Sequence, residues 1–134
     1  MPPFVLVVDD EPVIRDAVAN AIADEGYAVK VAADGVQALS IHLAERASMI
    51  ATDIHMPEMD GQEFVSILRV NGDMTPVVFF SAKVGSVSAL ENTSFLAKPF
   101  DLVELLTLVH KGMIGSPVRS SPDLPPSEGI DFQP

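Results

Sequence analysis

The sequence predicts an α/β protein with a doubly wound, five-stranded parallel sheet. Five short apolar segments alternate with helix-like segments over the first 114 residues. The apolar segments end at acidic or turn residues, as strands buried on both faces of a parallel sheet tend to do. Alternation of this kind implies right-handed crossovers, which place helices on both faces of the sheet.

The individual elements follow from local patterns. The strand segments are residues 4–8, 27–32, 49–52, 76–80 and 95–97. The helical segments are residues 13–25, 36–46, 62–70, 84–92 and 102–114, of which 84–92 is the weakest. Pro12 suits the first turn of the first helix with Glu11 as its cap, and Asp101 is the expected cap of the last helix. Five such units fit the flavodoxin-like strand order 2-1-3-4-5.

Composition restricts the classes of function. The chain has 134 residues, 48% of them hydrophobic, which suits one domain with a proper core. Its formal net charge of −11 argues against direct nucleic-acid binding, which normally needs a basic face. No cysteine is present, so disulfides and thiolate metal sites are excluded. The apolar start is too short for a signal peptide, and no apolar run approaches the ~20 residues of a membrane span, so we expect a cytoplasmic protein without membrane contact.

The character of the chain changes near residue 115. Residues 116–134 contain five of the eleven prolines, several serines and little periodicity. We therefore expect one folded domain, residues 1–114, followed by a flexible Pro/Ser-rich tail, residues 115–134.

Reactive groups stand at the carboxyl ends of four predicted strands. Asp9 and Asp10 follow the first strand, Asp53 the third, Ser81 the fourth and Lys98 the fifth. The carboxyl ends of parallel strands meet at one edge of the sheet, where open α/β sheets place their chemistry. Taken singly, each group has an ordinary explanation as a helix cap, a turn residue, a strand-end hydroxyl or a solvated lysine. Three carboxylates at one edge would repel one another unless a cation or a proton compensates their charge.

These segments resemble the receiver domain of two-component response regulators. The matching elements, in the family's order, are Val7-Val8-Asp9-Asp10-Glu11, Asp53-Ile54-His55-Met56-Pro57-Glu58-Met59-Asp60-Gly61, Phe80-Ser81-Ala82 and Lys98-Pro99-Phe100. The resemblance covers about residues 4–114, the expected receiver domain. It implies phosphoryl transfer from a histidine kinase or a histidine phosphotransfer protein onto Asp53. The chain would then be a stand-alone switch or an intermediate carrier in a phosphorelay, rather than an enzyme.

The resemblance also implies roles for the site residues. Mg²⁺, for which Mn²⁺ can substitute, would be bound by Asp10, by one oxygen of Asp53, by the backbone carbonyl of His55 and, through water, by Asp9. Lys98 would bring its positive charge to a phosphoryl oxygen, and its peptide bond to the following proline would be cis. These roles agree with the chemistry, because a carboxylate attacks phosphorus only when it is ionised and the growing charge is neutralised.

Ser81 and Phe95 are the expected switch residues. Phosphorylation adds roughly −1.5 to −2 charge and new acceptor oxygens, which the Ser81 hydroxyl would move to meet. Phe95 occupies the family's aromatic switch position, where the ring turns inward in the active state; the alternative is a plain core or surface phenylalanine. His55 and Lys83, two residues beyond Asp53 and Ser81, would tune the phosphoryl lifetime or simply face solvent.

The chain departs from the family between Ser81 and Lys98. Only sixteen residues lie between them, about five fewer than is usual, which amounts to more than one turn of helix. The serine- and glycine-rich segment 84–92 has poor helical propensity, so we expect a short or irregular fourth helix. The family uses this region for output and dimerisation. A truncated helix would expose Val103 and Leu108, which favours contact with a downstream protein or a second copy of the chain.

Two other function classes stay open from the sequence. The first is a Mg²⁺-dependent phosphatase with an aspartate nucleophile, similar to the haloacid dehalogenase-like enzymes. Such an enzyme needs a second acid two residues after the nucleophile, where this chain has His55. The second is a degenerate receiver that acts as a phosphorylation-independent scaffold. The intact reactive residues count against degeneracy, while the shortened output region favours it.

Overall fold

The structure, a computed structural model, describes residues 3–82 and 90–115. Each element in this part of the chain begins and ends within two residues of its predicted bounds. In chain order the elements are β1 (Phe4–Val8), α1 (Pro12–Asp24), β2 (Ala28–Ala32), α2 (Gly35–Ala44), β3 (Met49–Asp53), α3 (Gly61–Val70), β4 (Val77–Ser81), β5 (Thr93–Ala97) and α4 (Leu102–Gly115).

The five strands form one parallel sheet in the predicted order β2-β1-β3-β4-β5. The central strands β1, β3 and β4 are buried over their whole length. The edge strand β5 is partly exposed, because it pairs on one side only. The flavodoxin-like architecture is therefore confirmed.

Two hydrophobic layers cover opposite faces of the sheet. Because successive strand residues point to opposite faces, β1 sends Leu6 into one layer and Val7 into the other. The layer of Leu6 packs against α2 and α3, for example at Phe64. The layer of Val7 packs against α1 and α4, for example at Ile22 and Val109. This double winding fixes all five strands with their carboxyl ends at the same edge.

The helix starts confirm one predicted cap and correct another. Asp101 accepts a hydrogen bond from the Val103 backbone N–H through Oδ1 at 2.8 Å, as a cap should. Glu11 occupies the residue before α1, but its side chain makes no cap hydrogen bond. Glu11 thus has the predicted cap position, but the capping role predicted for its side chain is wrong.

Several predictions concern residues outside the described part. The expected short helix at 84–92 lies mostly within residues 83–89, and Lys83 lies wholly within them. The expected tail, residues 115–134, also lies outside the described part except for Gly115, which is the last residue of α4. Val103 on α4 is exposed, as predicted. Leu108 is partly buried against the layer of α1 and α4, so the prediction of its exposure is wrong. Among the described helices, none has the length and apolar character needed to cross a membrane.

Candidate functional site

Asp9, Asp10 and Asp53 come together at the carboxyl edge of the sheet. The first two directly follow β1, and Asp53 is the last residue of β3. One carboxylate oxygen from each residue lies within 4.8 Å of the others. Asp9 is fully buried and Asp53 is 5% exposed, whereas Asp10 is exposed. The predicted acidic cluster is therefore present, and it opens to solvent at Asp10.

Lys98 brings a positive charge to this acidic cluster. Its Nζ atom lies 3.3 Å from Asp53 Oδ2 and 3.6 Å from Asp9 Oδ2. Its backbone N–H donates to the Ser81 carbonyl at 2.7 Å, and its peptide bond to Pro99 is cis, as predicted. Burial lowers the pKa of the ammonium group, but the charges of Asp53 and Asp9 outweigh burial and raise the pKa above its ordinary value. Lys98 is therefore a permanent cation in the site.

The surroundings of Asp9 raise the pKa of its carboxyl group. Burial and the charge of Asp53 raise the pKa of Asp9 to about 6, although a hydrogen bond from the Glu11 backbone N–H and the charge of Lys98 oppose the shift. Its Oδ2 atom is buried and has no hydrogen-bond partner within the described residues. A buried, ionised carboxylate oxygen without a hydrogen bond is unfavourable, and a cation closer than Lys98 would stabilise it.

The acidic cluster fits a small hard cation. All three side chains offer oxygen atoms, the ligand type that Mg²⁺ prefers, and the exposed side leaves room for the waters that Mg²⁺ retains. The unpartnered Asp9 Oδ2 points to the same need for positive charge. A divalent cation would also relieve the repulsion between Asp9 and Asp53. The His55 side chain is exposed and does not belong to the cluster.

The loop after β3 holds the Asp53 carboxylate in place. Asp53 Oδ1 accepts a hydrogen bond from the Ile54 backbone N–H at 2.7 Å. Gly61, the first residue of α3, donates its backbone N–H to the Ile54 carbonyl at 2.8 Å. A Cβ atom at Gly61 would lie 2.2 Å from the Asp53 backbone oxygen, closer than any side chain tolerates. Glycine is therefore required where the loop folds back on Asp53.

The two predicted switch residues lie on the neighbouring strands. Ser81 is fully buried at the end of β4, paired in register with Ala97 of β5. Phe95 lies two pairs further back, opposite Phe79, and is partly buried against the layer of α2 and α3. The fold thus places Ser81 at the site and Phe95 on the adjacent edge strand, and their switching roles stay predictions.

Two charged residues of the site were not assigned to it from the sequence. Glu11 Oε1 lies 3.8 Å from Lys98 Nζ, and the side chain does not cap α1. Its position after Asp9 and Asp10 was the available signal. Arg15 Nη1 donates to the Asp9 backbone carbonyl at 3.2 Å. An arginine one turn into a helix is ordinary in sequence, so nothing marked Arg15.

Comparison with protein families decides which family this site belongs to. A family model described as the response regulator receiver domain matches residues 5–110. The chain belongs to this family. The predicted resemblance is confirmed, and the receiver can be compared with its relatives.

Curated relatives agree with this membership. Response regulator MprA of Mycobacterium sp. strain KMS is 32% identical to the receiver over 137 residues, which cover 98% of this chain and 60% of the relative. Response regulator MprA of Mycobacterium avium strain 104 is 36% identical over 107 residues, which cover 76% of this chain and 47% of the relative. The chain thus matches only about half of the length of these relatives.

Solved structures agree with the fold as well. The receiver domain of the Francisella response regulator 1452 has a TM-score of 0.77 and 31% identity, covering 84% of this chain and 97% of that one. Chemotaxis response regulator CheY4 of Vibrio cholerae has a TM-score of 0.72 and 33% identity, covering 84% of this chain and 99% of that one. The receiver is thus a signalling domain by family, with its fold shared across these regulators.

Proposed function

We propose that this receiver is a cytoplasmic, phosphorylation-dependent switch whose Asp53 accepts a phosphoryl group from a histidine kinase or a histidine phosphotransfer protein. One observation carries the proposal: the Asp53 carboxylate, 5% exposed, lies beside Asp9 and Asp10 and 3.3 Å from the Lys98 ammonium group. The phosphorylated receiver passes its signal on through contact with a downstream protein or a second copy of the chain.

Asp53 acts as the nucleophile in the proposed reaction. Its carboxylate forms a bond to phosphorus while the bond from phosphorus to the donor nitrogen breaks, and the electron pair of that bond stays on the nitrogen. The hydrogen bond from Ile54 fixes one oxygen of the carboxylate and so orients the group. Lys98 compensates the negative charge on the phosphoryl oxygens.

The same residues provide the proposed metal site. Asp9, Asp10, one oxygen of Asp53 and the backbone carbonyl of His55 would hold Mg²⁺, Asp9 through water. When bound, Mg²⁺ supplies positive charge that neutralises the transferring phosphoryl group. Asp10 is the exposed member of the acidic cluster and gives the ion its entry from solvent.

Switching follows from the new charge at Asp53. The added phosphoryl oxygens attract the Ser81 hydroxyl and the Lys98 ammonium group, which now has phosphoryl oxygens to bind besides the carboxylates. Ser81 ends β4, so its movement changes the space beside β5, where Phe95 lies. We propose that Phe95 then turns inward and alters the exposed surface. The exposed His55 side chain and Lys83 would tune how long the phosphoryl group persists.

Intact mass spectrometry tests whether Asp53 accepts the phosphoryl group. After incubation with a small acyl phosphate and Mg²⁺, the parent chain is expected to gain one adduct of about 80 Da, the mass of one phosphoryl group. Asp53→Asn keeps the size of the side chain but removes the nucleophile, so it should show no adduct. Asp16→Asn, at an exposed position on α1, is the matched control and should behave like the parent.

The other outcomes separate the competing functions. Continued release of phosphate over many turnovers would indicate a phosphatase. Absence of any adduct on the folded parent, with several donors and Mg²⁺, would indicate a phosphorylation-independent scaffold. An adduct that persists in Asp53→Asn would move the acceptor to another residue.

A further inference from the structure

Arg15 reaches the metal-binding loop from α1. Its Nη1 atom donates to the Asp9 backbone carbonyl at 3.2 Å, and its own backbone N–H donates to the Glu11 carbonyl at 2.9 Å. The Arg15 side chain is only 20% exposed. Arg15 therefore connects both ends of the turn that carries Asp9, Asp10 and Glu11 between β1 and α1.

With Arg15 in place, the protein satisfies every polar group of Asp9 except one. The Asp9 backbone N–H donates to the Ala32 carbonyl at 3.1 Å, and Oδ1 accepts from the Glu11 backbone N–H at 2.9 Å. The backbone carbonyl accepts from Arg15. Only Oδ2, within the described residues, has no hydrogen-bond donor. The remaining atom, Oδ2, lies 3.6 Å from Lys98 Nζ.

Arg15 is poorly placed to act mainly as a stabilising contact. Its Nε atom is buried and forms no hydrogen bond within residues 3–82 and 90–115, and the Asp16 carboxylate is 4.0 Å away. A buried donor without a partner lowers stability. The hydrogen bond from Arg15 Nη1 to the Asp9 carbonyl offsets this cost. The favourable contact of the side chain is therefore with the site.

We propose that Arg15 is a positioning residue for the divalent cation: it holds the Asp9 carbonyl and so presents Asp9 and Asp10 in the geometry that binds the ion. The inference rests on the proposed function, because it requires Mg²⁺ in this acidic cluster. When a group that orients a metal ligand without binding the metal itself is removed, the metal affinity typically falls by about 10–100-fold. Arg15 acts through one backbone hydrogen bond, which places its effect at the lower end of that range.

Calorimetric titration of the full chain with Mg²⁺ tests the role of Arg15. Arg15→Ala is expected to raise the Kd for Mg²⁺ about tenfold, with the phosphorylation rate recovering when Mg²⁺ is raised to saturation. Arg15→Lys keeps a cationic donor on a long stem and should recover most of the affinity. Arg46→Ala is the matched control, because Arg46 lies just before β3 at the opposite edge of the sheet; its Kd should equal that of the parent.

The inference fails if Arg15→Ala binds Mg²⁺ as tightly as the parent at a temperature where circular dichroism shows both fully folded. It also fails if Arg46→Ala weakens binding equally, since the effect would then be a general one. Should Arg15→Ala not fold, Arg15→Met keeps the apolar stem without donors and takes its place. If the parent gains the phosphoryl adduct but Arg15→Ala has the same Kd for Mg²⁺ as the parent, only the role of Arg15 is overturned. A parent that neither binds Mg²⁺ nor gains the adduct overturns the proposed function as well.

Discussion

Asp9 is fully buried, and burial together with the charge of Asp53 raises its pKa from 3.8 to about 6. The folded protein therefore binds a proton at Asp9 more tightly than the unfolded chain does. Between about pH 4 and pH 6, the free energy of unfolding therefore falls as the pH rises. At neutral pH, Asp9 is ionised in both states, and the whole loss of stability caused by its raised pKa is present. This destabilising charge belongs to the acidic cluster that we propose as the Mg²⁺ site.

The first prediction at this scale removes that charge. Asp9→Asn keeps the size of the side chain and the acceptor for the Glu11 backbone N–H. Without divalent metal, it should raise the free energy of unfolding at pH 7 by about 3 kcal/mol. The gain should disappear below about pH 4, where Asp9 is protonated in both states. Urea denaturation in EDTA at the two pH values measures both quantities, with the exposed Asp16→Asn as control.

A gain at pH 4 as large as the gain at pH 7 would show that packing, and not ionisation, causes the change. The same comparison in Mg²⁺ should reduce the gain, because the parent then binds an ion that Asp9→Asn holds less well.

At the scale of elements, a polar network joins α2 and α3 to the start of β4. Asp73 accepts hydrogen bonds from the backbone N–H and hydroxyl of Thr75, at 3.0 and 2.6 Å, and from His42 Nε2 at 2.7 Å. His42 Nδ1 accepts from the Ala47 backbone N–H, which assigns the ring proton to Nε2. Burial raises the pKa of Asp73, but these hydrogen bonds and Arg46 hold it well below its ordinary range.

Arg69 extends this network to the residues that lead into β5. It lies in the last turn of α3 and donates to four backbone carbonyls. They belong to Glu91 at 2.7 Å, Asp73 at 2.8 Å, Thr75 at 2.8 Å and Asn92 at 3.3 Å. One side chain thus fixes the entries of both β4 and β5, at the sheet edge opposite the acidic cluster.

Replacement of Arg69 tests how much this network stabilises the fold. Arg69→Ala removes the donor from the Glu91, Asp73 and Thr75 carbonyls, so the free energy of unfolding should fall by about 3 kcal/mol. The Asn92 carbonyl still accepts from the Val77 backbone N–H. Arg46→Ala is the matched control, because the Arg46 side chain is 67% exposed and pairs only with Asp73 among the described ion pairs; we expect less than about 1 kcal/mol there. Urea denaturation at pH 7 compares the two, and equal losses would contradict the assigned role of Arg69.

The network also marks the limit of prediction from sequence. The sequence was sufficient to group Asp9, Asp10, Asp53 and Lys98, because the carboxyl ends of parallel strands lie at the same edge of the sheet. His42, Asp73 and Arg69 offer no such rule: each looks like a solvated polar residue, and their partners are chosen by loops that local patterns do not define. Glu11 is a related case, since its side chain lies 3.8 Å from a lysine 87 positions away in sequence, a contact that no local pattern indicates.

At the scale of the whole molecule, the two edges of the sheet differ in how their charges are compensated. The described cations Arg46 and Arg69 are paired or hydrogen-bonded at the amino edge. The carboxyl edge gathers three carboxylates and Glu11 around Lys98. A formal net charge of −11 adds general self-repulsion to this local excess. Any salt should therefore stabilise the fold by screening, and a cation bound in the acidic cluster should add a specific contribution.

Comparison of two salts at equal ionic strength separates these contributions. Mg²⁺ at ten times its Kd should raise the free energy of unfolding of the parent by about 1.4 kcal/mol beyond NaCl, because only the folded chain assembles the acidic cluster. Asp10→Asn should lose this difference and keep the response to NaCl, since the exposed Asp10 side chain adds a ligand to the cluster but no buried contact to the core. Urea denaturation with each salt gives the values. If Mg²⁺ and NaCl stabilise the parent equally, the acidic cluster is a repulsive surface and not a metal site, because screening alone then accounts for the whole effect.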